Sequence, residues 1–162
     1  MLTTILLLIT ATINGQNMDI NILNSFLFHP RESFQEMDKK DVLIDVEDGI
    51  RVGARFHLIN KSAPTILFFH GNGEIATDYD DIGQAYNQKN INFIIADYRG
   101  YGFSNGVPNH ENTQSDSHVI LDHVLKHLKE TKYVGPLILM GRSLGSASAL
   151  ELAKRHPHDF SG

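Results

Sequence analysis

The stretch "LILMGRSLGSASALELA", residues 137–153, carries the strongest structural signal in this 162-residue chain. It opens with a short apolar run that is typical of a strand covered on both faces. Gly-Arg-Ser-Leu-Gly follows, and the small and apolar residues after it predict a helix packed close to a sheet. Gly141 and Gly145 leave room for a sharp strand-to-helix turn that presents the Ser143 hydroxyl. An ordinary βα turn is the alternative, but the strand-turn-helix context favours a nucleophilic serine.

Two more apolar runs precede this stretch, "TILFFH" at 65–70 and "INFIIADY" at 91–98. Each is followed by a helical pattern, and buried strands that alternate with helices predict a parallel sheet with right-handed crossovers. Further upstream, residues 41–60 alternate apolar and polar side chains around an Asp48-Gly49 turn, which predicts an antiparallel hairpin. The predicted fold class is therefore α/β, a three-layer, mostly parallel sheet with an N-terminal antiparallel hairpin.

The helices between these strands have less certain ends. A helical spacing of apolar residues predicts one apolar stripe made of Ile75, Tyr79, Ile82, Ala85 and Tyr86. Residues 100–112 are rich in Gly and Asn and are predicted to form a loop. Thr113, with an acidic residue at Asp116, resembles a capping box and is predicted to start the next helix.

Composition excludes several classes of protein. The net charge is −5 and no basic stretch offsets it, which argues against a nucleic-acid partner. The chain has no cysteine, so a disulfide scaffold, a cysteine zinc site and a thiol nucleophile are excluded. His118, His123 and His127 fall on one predicted helix, but no HExxH frame surrounds them. A solvated helix face is therefore expected there, and no metal site is predicted.

The N-terminal segment, residues 1–25, begins with "MLTTILLLITATI". This apolar run suits the core of a signal peptide and is too short to span a bilayer. However, no basic residue precedes Arg31, and a good cleavage site is lacking. A signal peptide, a membrane anchor and a helix packed on the domain all stay open, and so do membrane, secretory and cytoplasmic locations.

"HGNGE", residues 70–74, follows the first buried strand. Its two glycines would let backbone N–H groups turn towards a substrate oxyanion. The candidate donors are the N–H groups of Asn72 and of Leu144, the residue after the serine, with Gly73 as an extra one. His70 is predicted to hold the loop by hydrogen bonding, not to act as a base. A generic glycine-rich turn is the alternative; a phosphate cradle is not, since no GxxxxGKS or GxGxxG pattern is present.

"DYRGYGFSNG", residues 97–106, follows the second buried strand. Asp97 at a strand end could be read as a catalytic acid, but it precedes the serine along the chain. Asp97 and Arg99 are instead predicted to be supporting polar groups that hold the loops beside the site.

In this order, HGNGE, DYRGYGFSNG and GRSLGSASALELA resemble the α/β-hydrolase superfamily. The likeness is strongest to single-domain serine hydrolases that include protein depalmitoylases and related membrane-associated acyl hydrolases, and "FLFHPR" at 26–31 resembles their lead-in. The resemblance implies that Ser143 attacks an ester, thioester or amide of a small-molecule or lipidated substrate, while Asn72 and Leu144 bind the oxyanion. No metal or organic cofactor is implied. Those depalmitoylases carry an N-terminal cysteine cluster, which this chain lacks, so depalmitoylation is only one candidate reaction.

The resemblance also implies an acid and a histidine that follow the serine along the chain. The candidates after Ser143 are Glu151, His156, His158 and Asp159. Glu151 would lie about 12 Å along the helix axis at 1.5 Å per residue, and the others further away. The expectation is therefore that residues 26–162 form the N-terminal portion of a hydrolase domain, truncated after the nucleophile helix and inactive alone. The alternatives are a non-catalytic α/β-hydrolase-like binding protein and a half-domain that pairs with another chain.

Overall fold

The computed structural model describes Asn24 and residues 27–161. The predictions for the N-terminal segment fall on residues that lie almost wholly outside this range. The strands are β1 Asp41–Glu47, β2 Ile50–His57, β3 Thr65–Phe69, β4 Asn92–Ala96 and β5 Leu137–Gly141. The helices are a 3₁₀ turn Ala76–Tyr79, α1 Asp80–Gln88, α2 His110–Glu130 and α3 Gly145–Arg155. Among the described residues, no helix is long and apolar enough to cross a membrane.

The five strands form one mixed sheet in the order β1-β2-β4-β3-β5. β1 and β2 are the predicted antiparallel hairpin, and Gly49 in its turn has a φ of 73°. β2 pairs antiparallel with β4, whereas β3 pairs parallel with both β4 and β5. The predicted fold class is confirmed: a parallel set of strands carries the hairpin at one edge.

Helices cover both faces of β3 and β4, which explains why these two strands read as continuous apolar runs. Side chains alternate between the faces along each strand. One face packs against α2 and α3 through Leu67, Phe69, Ile94, Ala96, Ile120, Leu121, Val124 and Leu152. The other packs against the 3₁₀ turn and α1 through Ile66, Phe68, Ala76, Tyr79, Tyr86, Phe93 and Ile95. The parallel strands thus end together at one rigid edge, where the site lies.

The predicted start of α2 is wrong. The helix begins at His110, and its cap is Asn109, whose side chain accepts a hydrogen bond from the Asn112 N–H at 2.8 Å. The Asn109 N–H in turn donates to the side-chain oxygen of Asn112, also at 2.8 Å. Thr113 therefore lies inside the first turn, and Asp116 pairs with Arg99 at 2.7 Å instead of capping the helix. The predicted loop is correspondingly shorter at its end.

The predicted apolar stripe holds for Ile75 and Tyr79, which are buried, and in part for Tyr86, which is half-buried. It does not hold for Ile82, which is 45% exposed, or for Ala85, which is also exposed. The reason is the 3₁₀ turn, which changes the helical phase before α1 begins. α1 instead approaches the sheet through Gly83, where a Cβ atom would lie 2.6 Å from the His57 ring.

The histidine face of α2 is half-buried, not solvated as predicted. His127 packs edge-on against Phe56 with the ring centroids 5.0 Å apart. His118 Nδ1 lies 2.9 Å from His156 Nε2. In the part of the chain that the structure describes, no group of three or more His, Asp or Glu side chains could hold a metal ion.

Candidate active site

The turn that is predicted to carry the nucleophile, residues 141–145, is a tight turn between β5 and α3; we name it the nucleophile elbow after that prediction. Ser143 is exposed at its tip and has a φ of 51°, in the left-handed region that non-glycine residues rarely adopt. The turn is closed by the Gly145 N–H, which donates to the Arg142 carbonyl at 2.9 Å. The Arg142 N–H donates to the Phe69 carbonyl at 3.0 Å, which ties the turn to the end of β3.

Both glycines of the elbow are required by close backbone contacts. A Cβ atom on Gly141 would lie 2.4 Å from the Gly145 carbonyl oxygen. A Cβ atom on Gly145 would lie 2.0 Å from the Phe69 carbonyl oxygen. The crowding that the GxSxG spacing predicts is therefore present, and it keeps Ser143 in a strained, outward-facing conformation.

The strain at Ser143 leads to a testable prediction. Ser143→Gly should raise the free energy of unfolding by about 1 kcal/mol relative to Ser143→Ala, because only glycine adopts a positive φ without a steric cost. Both variants lack the hydroxyl, so alanine is the matched control. Urea unfolding followed by circular dichroism measures the difference; equal midpoints would mean that the turn is not strained.

The loop that is predicted to bind the oxyanion, residues 70–74, lies beside this elbow at the end of β3; we name it the oxyanion loop after that prediction. Among the described residues, the N–H groups of Asn72 and Leu144 have no backbone acceptor, so both are available to a substrate oxygen. Gly73, the extra candidate, has a φ of 75°, and its N–H faces the Tyr101 hydroxyl. Asn72 and Leu144 thus stay the stronger pair of candidate donors.

Glu74 connects the oxyanion loop to the elbow. One carboxylate oxygen accepts from the Gly71 N–H at 2.7 Å and from the Tyr79 hydroxyl at 2.6 Å. The other oxygen pairs with the guanidinium of Arg142, the residue before the serine. Sequence reasoning missed this link. Its only signal was opposite charge on two loops that follow neighbouring parallel strands.

His70 lies fully buried behind the loop. Its Nδ1 lies 2.8 Å from the Gly71 carbonyl oxygen, and its Nε2 lies 3.1 Å from Asp97 Oδ1. The Tyr98 hydroxyl donates to the His70 carbonyl at 2.7 Å, and burial raises the pKa of this phenol well above its ordinary value. The Ala76 N–H donates to Asp97 at 2.8 Å. His70 and Asp97 are thus engaged in holding the loop, the role that was predicted for each.

Arg99 supports the neighbouring loop. Its guanidinium donates to Asp116 on α2 and to Glu47 on β1, in each case at 2.7 Å. The contacts fasten the segment after β4 to two other elements, in agreement with the predicted supporting role.

The acidic and histidine residues after Ser143 lie elsewhere. Glu151 lies 3.1 Å from Arg155 Nε and 3.6 Å from His118 Nε2. His156 contacts His118 and, through Nδ1, Asp159 at 3.2 Å. His158 is exposed. These residues belong to the second half and the C-terminal end of α3, whereas Ser143 precedes its first turn, so the structure does not bring them together with the serine.

The sheet order, the serine on a strained turn after β5 and the glycine-rich loop after β3 define an α/β-hydrolase. Residues 60–162 match the model of a family described as Hydrolase_4, serine aminopeptidase S33. The chain belongs to this family.

Known proteins of the same class are similar to the chain over part of their length. Alpha/beta hydrolase domain-containing protein WAV2 of Arabidopsis thaliana is 31% identical over 75% of this chain and 40% of its own length. Alpha/beta hydrolase domain-containing protein 17C of Mus musculus is 33% identical over 65% of this chain and 33% of its own. The structure of a monoglyceride lipase from Saccharomyces cerevisiae matches with a TM-score of 0.60 at 20% identity, over 78% of this chain and 45% of that one. The chain thus spans less than half the length of each.

Proposed function

We propose that this chain supplies the nucleophile and the oxyanion hole of a serine hydrolase acting on an ester, thioester or amide. The observation that carries the proposal is the conformation of Ser143, exposed at a φ of 51° between two glycines that no larger residue could replace. Such strain persists only where surrounding structure enforces it, and it is concentrated at functional sites. Membership of a hydrolase family supports the same conclusion.

In the proposed reaction, Ser143 Oγ attacks the substrate carbonyl and loses its proton to a general base. The carbonyl oxygen becomes an oxyanion, which accepts hydrogen bonds from the N–H groups of Asn72 and Leu144. Collapse of this intermediate expels the alcohol, thiol or amine, which takes the proton held by the base, and leaves an acyl-enzyme on Ser143. Water then attacks the acyl group and releases the acid.

The acid and the base of this reaction come, in our proposal, from polypeptide outside the described residues. Two observations support this. The four acid or histidine side chains after Ser143 are exposed or engaged at α3 and α2. The relatives are also much longer than the part that the chain matches.

The substrate is proposed to be a small-molecule or lipidated acyl compound. Association with a membrane through the apolar residues of segment 1–25 belongs to the same proposal. A non-catalytic binder would have no need to keep Ser143 strained, and this favours the hydrolase over the binding protein.

The isolated 162-residue chain should hydrolyse p-nitrophenyl acetate barely above background. Ser143→Ala should change that rate little, because a serine without a base is weakly nucleophilic. The test is to compare the initial rates of hydrolysis by the chain and by its Ser143→Ala variant. Turnover typical of a complete triad would contradict the placement of the base outside the described residues.

The nucleophile itself is tested on the native protein from its source. A fluorophosphonate should label the peptide that contains Ser143, and prior denaturation should abolish the labelling, since reactivity requires the folded site. Peptide mass spectrometry identifies the labelled residue. Labelling of another serine, or none in the native state, would favour the non-catalytic binding protein.

A further inference from the structure

A segment that we call the strap, residues 27–33, crosses the ends of two loops beside the nucleophile elbow. Phe28 anchors it in the interior, with 5% of its surface exposed. The Arg31 carbonyl accepts from the Gly102 N–H and the Ser33 N–H donates to the Gly102 carbonyl, both at 2.9 Å. The strap is therefore fastened to the loop that follows β4.

The other side of the strap binds the oxyanion loop through the side chain of Asn72. The His29 N–H donates to Asn72 Oδ1 at 2.9 Å, and Asn72 Nδ2 donates to the Leu27 carbonyl at 2.7 Å. Tyr101, fully buried, adds its hydroxyl, which donates to the same Oδ1 at 2.6 Å. The side-chain amide of Asn72 is thus held from three directions while its backbone N–H stays free of a backbone acceptor.

The Tyr101 hydroxyl is the common point of these contacts. It also accepts from the His29 N–H at 2.9 Å. Burial raises the pKa of Tyr101, although the N–H groups of His29 and Gly73 act in the opposite sense. The phenol consequently stays protonated at neutral pH and keeps its donor for Asn72.

A further pair of contacts holds the next residue of the loop. Arg31 Nε donates to the Gly73 carbonyl at 3.2 Å, and its guanidinium also pairs with Asp78. Gly73 has a positive φ, and glycine by itself has little steric preference between positive and negative φ. The strap thus holds the carbonyl of an intrinsically flexible residue.

We propose that Asn72 and Tyr101 are positioning residues, through which the strap sets the direction of the Asn72 N–H in the oxyanion hole. The assignment rests on the proposed function for its catalytic meaning. An oxyanion donor is effective only when it points in advance to where the charge develops. Bonds to Glu74 order the ends of this glycine-rich loop, and the strap adds the bonds that hold its central side chain, Asn72.

Amide hydrogen exchange by NMR on the 162-residue chain tests the strap directly. The amides of Gly71 and Glu74, which are bonded within the oxyanion loop, report on its order. Tyr101→Phe should accelerate their exchange about tenfold, because the loss of one ordinary hydrogen bond changes a local opening equilibrium by about that factor. Asn72→Ala should accelerate this exchange at least as much, because it removes the side chain that bonds to His29, Leu27 and Tyr101. The backbone amide chemical shifts of Leu67 and Ile94 in the central strands should be unaffected, whereas their exchange reports only the stability of the whole domain.

Tyr86→Phe is the matched control. It removes a hydroxyl from a residue of α1 whose ring stacks on Phe93 of β4, with the ring centroids 4.8 Å apart. It should leave exchange in the oxyanion loop unchanged. The Asn72 amide resonance should move in Tyr101→Phe and stay in place in Tyr86→Phe.

Two results would overturn the inference. Unchanged exchange at Gly71 and Glu74 in Tyr101→Phe would mean that the strap does not order the loop. Chemical-shift changes at Leu67 and Ile94 as large as the change at Asn72 would mean that Tyr101 acts on the whole domain and has no positioning role. Neither result involves hydrolysis, so failure of Ser143 labelling would count against the proposed function alone.

Discussion

Gly145→Ala is expected to destabilise the domain by about 3 kcal/mol or more. The added Cβ would lie 2.0 Å from the Phe69 carbonyl oxygen and 2.8 Å from that of His70. Both oxygens belong to the backbone at the end of β3, a central strand, so no side chain can move aside to make room. Alanine favours helix over glycine by about 1 kcal/mol, but this gain is smaller than the steric cost.

Urea unfolding at neutral pH measures this effect. Gly49→Ala is the matched control, because Gly49 has a φ of 73° and a Cβ atom there would meet nothing within 4 Å. That variant should lose only about 1 kcal/mol, the cost of a left-handed conformation for a residue with a side chain. Similar losses in the two variants would contradict the close contact between α3 and β3.

Arg55→Met is expected to cost about 3 kcal/mol, because it leaves the buried carboxylate of Asp41 without a counter-charge. Arg55 is 3% exposed and bonds three acids: Asp41 at 2.6 Å, Asp80 at 2.7 Å and Asp38 at 3.0 Å. Asp41 is as buried as Arg55, whereas the other two are partly exposed and water can solvate them. The estimate is therefore at the low end for a broken buried ion pair.

The control for Arg55→Met is Arg51→Met, an exposed position on the same strand, which should change the free energy of unfolding by less than about 0.5 kcal/mol. The pH dependence gives a second check. Burial acts to raise the pKa of Asp80, but the hydrogen bond and charge of Arg55 hold it below its ordinary value of 3.8. A depressed pKa stabilises the fold above the unfolded-state value and loses that contribution as the pH falls through the folded-state value. The difference between wild type and Arg55→Met should shrink below about pH 4, and a difference constant down to pH 3 would contradict this origin.

Much of the fold was predictable because its signals are local. Continuous apolar runs identified β3, β4 and β5, and alternation around Asp48-Gly49 identified the hairpin. The GxSxG spacing identified the elbow, because a strand-to-helix turn that tight admits only glycine on both sides of Ser143. These patterns are set by residues within a few positions of one another.

Local signals failed where two residues compete for one role. Asn109 and Thr113 are both favoured helix caps, and the preference for Asn over Thr is too small to decide between them from the sequence. In the fold, Arg99 engages Asp116, so the acid that would have completed a box with Thr113 serves another element. Ile82 is exposed for another reason that the local spacing does not show: the 3₁₀ turn before α1 shifts the helical phase.

The supports of the site lie beyond any local pattern. Glu74 meets Arg142, and Asn72 meets Leu27, His29 and Tyr101, across long stretches of sequence. The proposed serine nucleophile and the glycine-rich loop can be recognised from short motifs, because each needs only a few neighbouring residues. Which distant side chains hold those motifs in place depends on how parallel strands bring their ends to one edge, and that arrangement exists only in the folded domain.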